Sequence, residues 1–202
     1  MTSGMNPWLR IWTQPRETIR NLLQTNLTYG IYWLAAVYSL QNFFYFSNYW
    51  SIGLSIPFYA ILIAGIVLCP LLGVIWLYFS SWILYFTGRW LEGKAPRLQL
   101  RTAIAWSKIP TSLNLVMWFI LLVSQSEYVF ILDGGGPSSL FINFITASLG
   151  IWSLVLLVQC LREVQSFSVA RSLVNIFLAW VVSSFLFFLG FAFLRYLYVL
   201  NY

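Results

Sequence analysis

From Asn21 to Gly88 the chain carries no charged side chain, and apolar residues fall on every face of any helix drawn through it. A helix in a water-soluble core needs one apolar stripe, whereas a helix in lipid is apolar all round. Each Lys, Arg, Asp or Glu at mid-bilayer costs roughly 2.5–3.5 kcal/mol on insertion scales, so a neutral stretch this long is the pattern of a membrane-embedded chain. The stretch breaks at Gln41-Asn42 through Asn48-Tyr49-Trp50-Ser51, a polar and aromatic patch suited to an interfacial turn. One span is expected over 27–46 and a second over 57–88. The second exceeds the ~20 residues that cross ~30 Å of hydrocarbon. It must tilt, protrude or bend at Pro70, with Gly65 and Gly73 placed to admit a close neighbour. Further spans are expected over 105–124 (with a start between Ala103 and Ile109), 139–161 and 169–194, the last opened by Ser166 or Ser168 as a helix cap. The pattern predicts an all-α integral membrane protein. Its five-transmembrane-helix bundle occupies 27–198, behind an N-terminal segment over 1–26 and with short cytoplasmic interfacial helices.

Composition narrows the function. The 202 residues are 60% hydrophobic and 8% charged, which leaves no room for a separate soluble domain of ordinary size. The 11 Trp, 12 Tyr and 17 Phe suit many helix ends at water–lipid interfaces. The first apolar run begins near Leu27 with no small-residue cleavage pattern after it, so it is expected to stay as the first span. There is no histidine, which removes Ser–His and Cys–His nucleophilic sites, the His-bearing zinc motifs and haem–His ligation. Cys69 and Cys160 fall in predicted spans and read as small buried hydrophobes rather than a disulfide or a metal pair. Ser80, Ser81, Ser153, Ser183 and Ser184 have no base beside them in the spans and read as packing residues or donors to nearby carbonyls. Asp133-Gly134-Gly135-Gly136-Pro137 lacks a following Gly-Lys-Ser/Thr and is a turn, not a phosphate loop. Neither an enzyme nor a cofactor is expected, and the net charge of +6 reads as a topology signal rather than a nucleic-acid footprint.

Charge placement supplies an orientation. Of the 11 Lys and Arg, all but Arg195 lie before the first span, after the second or after the fourth. The other side holds Glu127 and Asp133. By the positive-inside rule the N-terminus is cytoplasmic and the C-terminus outside, and the basic faces are candidates for docking. Arg16 and Arg20 stand one turn apart on a short helix started by Pro15, with Ile19, Leu22 and Leu23 on another face. Arg97, Arg101 and Lys108 fall within about 40° of one another on a helix leading into the third span. Glu163 pairs with a nearby Arg or Lys, or forms a recognition surface with the two basic stripes. Asn114 and Asn175 reach similar depth and are expected to face the bundle interior, as helix-pairing groups or as the floor of a cavity on the basic side.

Three blocks in these segments carry a resemblance. Asn6-Pro7-Trp8…Ile11-Trp12…Pro15-Arg16…Thr18-Ile19-Arg20, then Ala103-Ile104-Ala105-Trp106-Ser107…Ile109-Pro110, then Cys160-Leu161-Arg162-Glu163-Val164-Gln165…Phe167-Ser168 resemble the signatures of the Yip (Ypt-interacting protein) domain family in its prokaryotic form. The resemblance implies five helices and a cytoplasmic N-terminus. Eukaryotic relatives bind Rab-type GTPases through a longer N-terminal region, and that role is not carried over to a chain with about 25 residues before its first span. The expectation is a plasma-membrane adaptor or organiser that presents Arg16, Arg20, Arg97, Arg101, Lys108 and Glu163 to lipids, anionic ones among them, or to a membrane or cytoplasmic protein partner. The alternative is a lipid or small-molecule transporter, scramblase-like, working through a groove between helices.

Overall fold

The computed structural model describes residues 6–124, 128–132 and 138–200; Glu127 and the turn expected at 133–137 lie outside the described residues. The described chain is helical: α1 (Pro7–Arg10), α2 (Pro15–Thr25), α3 (Ile31–Tyr49), α4 (Phe58–Trp90), α5 (Arg97–Ser107), α6 (Ile109–Ser112), α7 (Asn114–Ser124), α8 (Ser138–Gln165) and α9 (Val169–Leu200). Local chemistry explains several boundaries. Pro15 occupies the first turn of α2, where its missing N–H costs nothing. Ser168 Oγ accepts from Arg171 N at 3.2 Å and caps α9.

The long second span is one helix. α4 continues through Pro70 for 33 residues, about 50 Å at 1.5 Å per residue. Pro70 lies on its exposed side, while Gly65, Cys69 and Gly73 are buried on the side that faces α3. A Cβ at Gly73 would collide with the Ala35 carbonyl, so the two backbones meet there directly.

The expected count of five crossings is not confirmed. Among the described residues three helices are long and apolar enough to cross: α4, Asn143–Gln165 of α8 and Val169–Phe193 of α9. A fourth follows if α5 and Ile109–Ser124, bent by 46°, are taken as one span. At the place of the expected first span, α3 interrupts its apolar run with Tyr38, Ser39, Gln41 and Asn42, which lowers its hydropathy. The expected third span is in pieces, broken at Lys108 and again at Leu113.

The core divides in two. At the basic end Ile11, Ile19, Leu22, Leu100, Trp106, Leu156 and Leu161 pack together. At the opposite end Phe44, Ile61, Trp118, Val129 and Phe130 form a second cluster. There Phe130 is a stopper: its ring meets Phe44 at 5.5 Å, and its carbonyl accepts from Gly53 N at 3.0 Å. Asn48 Nδ2 holds the flanking carbonyls of Val129 at 2.9 Å and Ile131 at 3.2 Å. Of the three long apolar helices α9 is the least buried, with 6% of its apolar window buried against 28% for α4 and 33% for α8. Lipid covers such a surface at no cost, being as apolar as the side chains.

Candidate functional site

The basic end is where α2, α5, α8 and the α4–α5 turn converge. Four structures are built there.

The first joins α2 to α8. Ile19 and Leu22 of α2 are buried among the apolar residues of α8, and this packing brings Arg16 and Arg20 over Glu163. Arg20 Nε donates to Glu163 Oε1 at 2.7 Å and Arg16 Nε to Oε2 at 3.1 Å, one guanidinium on each oxygen. Burial pushes the Glu163 carboxyl up, but the hydrogen bond and charge of Arg20, then those of Arg16, outweigh it and hold the group below the ordinary 4.5. The same bond raises the Arg20 guanidinium above its ordinary value. Arg16 and Arg20 therefore form an internal clamp, and Glu163 is its shared acceptor.

The second is a pile of rings. Trp106 of α5 is fully buried. Its Nε1 donates to the Tyr29 carbonyl at 3.1 Å, and its ring lies 5.0 Å from Trp8 and 6.1 Å from Tyr29. Thr102 Oγ1, one turn earlier, donates to the Leu27 carbonyl at 2.7 Å. These bonds satisfy backbone acceptors between α2 and α3 that have no helical partner.

The third is a buried polar node. Thr87 Oγ1 lies 2.6 Å from Asn175 Oδ1, and Gln165 Oε1 accepts from Ala95 N at 3.4 Å. Gln165 reaches in because Gly88 and Gly93 are bare; a Cβ on either would collide with its amide. The amide nitrogens of Gln165 and Asn175 have no partner and both face Gly88. Turning the Asn175 amide over would put its nitrogen on Thr87 Oγ1 and its oxygen toward the Gln165 amide, linking α4, α8 and α9. The node contains neither acid nor base, so it locks helices rather than moving protons.

The fourth is a ledge of cations on aromatic rings. Arg101 Cζ stands 3.7 Å from the centre of the Tyr78 ring, and Arg97 and Arg89 stand 5.0 and 5.2 Å from that of Tyr85. Among the described residues neither Arg97 nor Arg101 has a carboxylate partner, and Arg101 Nε is buried without an acceptor. Tyr78, Phe79, Trp82, Arg97 and Arg101 line a recess of about 400 Å³ beside the ledge.

The sequence-expected residues distribute unevenly over these structures. Arg16, Arg20 and Glu163 come together; Arg97 and Arg101 share the ledge on the far side of α5. Lys108 does not continue their stripe, because α5 ends at Ser107 and the chain turns; its ammonium sits instead over the Tyr38 ring of α3 at 5.0 Å. The Ser107 carbonyl near this break accepts from Ser153 Oγ of α8 at 2.7 Å. Asn114 and Asn175 are both buried, but not on one another: Asn114 Oδ1 is 3.5 Å from Thr146 Oγ1, in a different region from the node. Sequence reading missed Thr87, Gln165, Tyr78 and Tyr85. The two tyrosines were within reach, since a spacing of seven places them on one helix face ahead of the arginines; no local rule points to Gln165.

No curated protein and no solved structure matches the chain. The sequence model of the Yip1 domain matches residues 9–192, from within α1 almost to the end of α9, and so covers the residues of all four structures apart from Trp8. The chain belongs to the Yip1 domain family.

Proposed function

We propose that this protein is a non-catalytic membrane organiser whose Arg97–Arg101 ledge receives anionic lipid headgroups. One observation carries the reading: two guanidiniums sit over tyrosine rings beside an open recess, with no carboxylate among the described residues committed to them. An arginine held over a ring still has terminal N–H donors to offer a phosphate. The positive-inside rule supports placing the ledge at the cytoplasmic leaflet of the plasma membrane, where anionic lipid adds about 1 kcal/mol of attraction per basic residue. On this reading α3 also crosses, as a fifth span sheltered by its close contact with α4. Native mass spectrometry from mild detergent tests the proposal. Phosphatidylglycerol is retained over phosphatidylcholine, the preference fades with added salt, and Arg97→Gln/Arg101→Gln abolishes the salt-sensitive part. A preference unaffected by that double substitution refutes it.

A second reading, lipid handling through a groove between helices, has one observation in its favour: an apolar cavity between α4 and α9. Neither Asn114 nor Asn175 lines it. Lipid translocation by the protein reconstituted in vesicles, absent from protein-free vesicles, would favour this reading over the organiser.

A further inference from the structure

The cavity between α4 and α9 has one cation in its wall. It measures about 400 Å³, is lined mainly by apolar side chains of α3, α4, α5, α8 and α9, and receives Lys108 at the point where α5 gives way to α6. The Lys108 ammonium lies 5.0 Å from the centre of the Tyr38 ring, and Tyr38 is two turns into α3 (Ile31–Tyr49). Among the described residues no carboxylate pairs with it. An ammonium facing apolar walls at that depth is costly unless an anion or an acceptor meets it.

The remaining walls indicate what brings the anion. Ser80 of α4 and Ser183 and Ser184 of α9 are the small polar groups in an otherwise aliphatic and aromatic lining. Trp76, Trp180 and Phe187 line the cavity while being 43%, 66% and 58% exposed, so it opens sideways between α4 and α9. The Trp76 and Phe187 rings, 6.0 Å apart, bridge the two helices at that opening. In a bilayer this lateral opening faces acyl chains.

We propose that the cavity binds one anionic lipid, with its chain between α4 and α9 and its phosphate or carboxylate on the Lys108 ammonium. The charge satisfies the cation, the chain displaces the void, and the serines supply further donors. This site is separate from the ledge: Arg97 and Arg101 lie against the Tyr78–Tyr85 face of α4, and neither lines the cavity.

The test uses the whole chain in mild detergent, offered phosphatidylglycerol, phosphatidylcholine, oleate and oleyl alcohol, with retention read by native mass spectrometry. One phosphatidylglycerol or one oleate per chain should survive delipidation, at least about tenfold over its neutral counterpart. Retention of the first alone assigns a phosphate to Lys108, and of the second alone a carboxylate. Lys108→Met abolishes the preference and Lys108→Arg keeps it. Ser184→Trp, which fills the cavity without altering charge, expels the lipid. Arg97→Gln/Arg101→Gln leaves this lipid bound at high salt, so the ledge reading and this one fail separately. A preference that survives Lys108→Met, or full retention in Ser184→Trp, overturns the inference. Should either variant fail to fold, the wild type decides: one equivalent of brominated phosphatidylglycerol or of brominated stearate quenches tryptophan fluorescence through Trp76 and Trp180, and emission unquenched by both overturns the inference.

Discussion

Arg16 and Arg20 on α2, and Arg97 and Arg101 on α5, are each one helical turn apart at the basic end, yet the first pair closes on a carboxylate and the second on tyrosine rings. The difference comes from what each helix faces. α2 lies across the end of α8, where Glu163 offers one oxygen to each of two guanidiniums and neutralises half of their charge within the protein. α5 turns its arginines toward the aromatic face of α4, which holds a cation in place without neutralising it. The same spacing therefore yields a clamp in one place and cations without a carboxylate partner among the described residues in the other. A helical wheel cannot distinguish them, because the deciding residue lies on another element.

Substitutions that separate the two pairs test this contrast. Trp106→Ala has the largest expected effect, since Trp106 sits on the helix that carries one pair and against the segment that follows the other. Removing a fully buried tryptophan costs about 3–5 kcal/mol. Thermal unfolding in detergent should show a large destabilisation with both the clamp and the ledge lost together. Next in size is Glu163→Lys, which sets three cations against one another. Hydrogen exchange across Pro15–Thr25 should rise sharply while α5 keeps its protection; unchanged exchange in α2 would mean the clamp holds nothing.

Glu163→Gln is milder and carries a pH signature. The folded carboxyl is held below the ordinary 4.5, so its contribution is fully present above that value and is lost as pH falls through the lowered one. Wild type should therefore melt a few degrees above Glu163→Gln at pH 7, and the two curves should converge as the pH falls through the lowered value. A gap that persists in acid would assign the difference to packing. The smallest stability effect belongs to Arg97→Gln/Arg101→Gln. Each exposed cation–aromatic contact is worth roughly 0.5–1 kcal/mol, so the melting curve should barely move while the salt-sensitive lipid preference disappears.

Much of the fold was legible because lipid imposes a strict rule. Uncharged runs of sufficient length marked α4, α8 and α9, and the scarcity of polar side chains in the predicted spans marked Asn114 and Asn175 as interior. The count of five was not secured, because α3 carries tyrosines and amides where a plain span would carry aliphatic residues. The run reads as a span in the sequence despite those residues, and Gln41 and Ser47 are buried in the structure. Glu163 was legible as an ion-pair residue, since few acids lie near so many bases. That Arg16 and Arg20 share it depends on how α2 crosses α8, which no spacing encodes. Lys108 was placed on the wrong face because the wheel assumed an unbroken helix. Gln165 looked like a loop residue, and its insertion over Gly88 and Gly93 is a tertiary event. The three signature blocks mark mainly contacts between elements, Trp106 on Tyr29 and Glu163 on Arg16 and Arg20 among them. Their presence therefore identifies the architecture more directly than any binding event.

The contrast between the arginine pairs can be measured at the guanidiniums themselves. With arginine-labelled protein in phosphatidylglycerol bilayers, solid-state dephasing of guanidinium nitrogen by lipid phosphorus reports which side chains touch phosphate, and Arg→Lys substitution at each pair removes its share of the signal. Arg97→Lys/Arg101→Lys should remove most of the phosphorus contact and Arg16→Lys/Arg20→Lys almost none. The reverse result, with the α2 pair on phosphate and the α5 pair silent, would contradict the account.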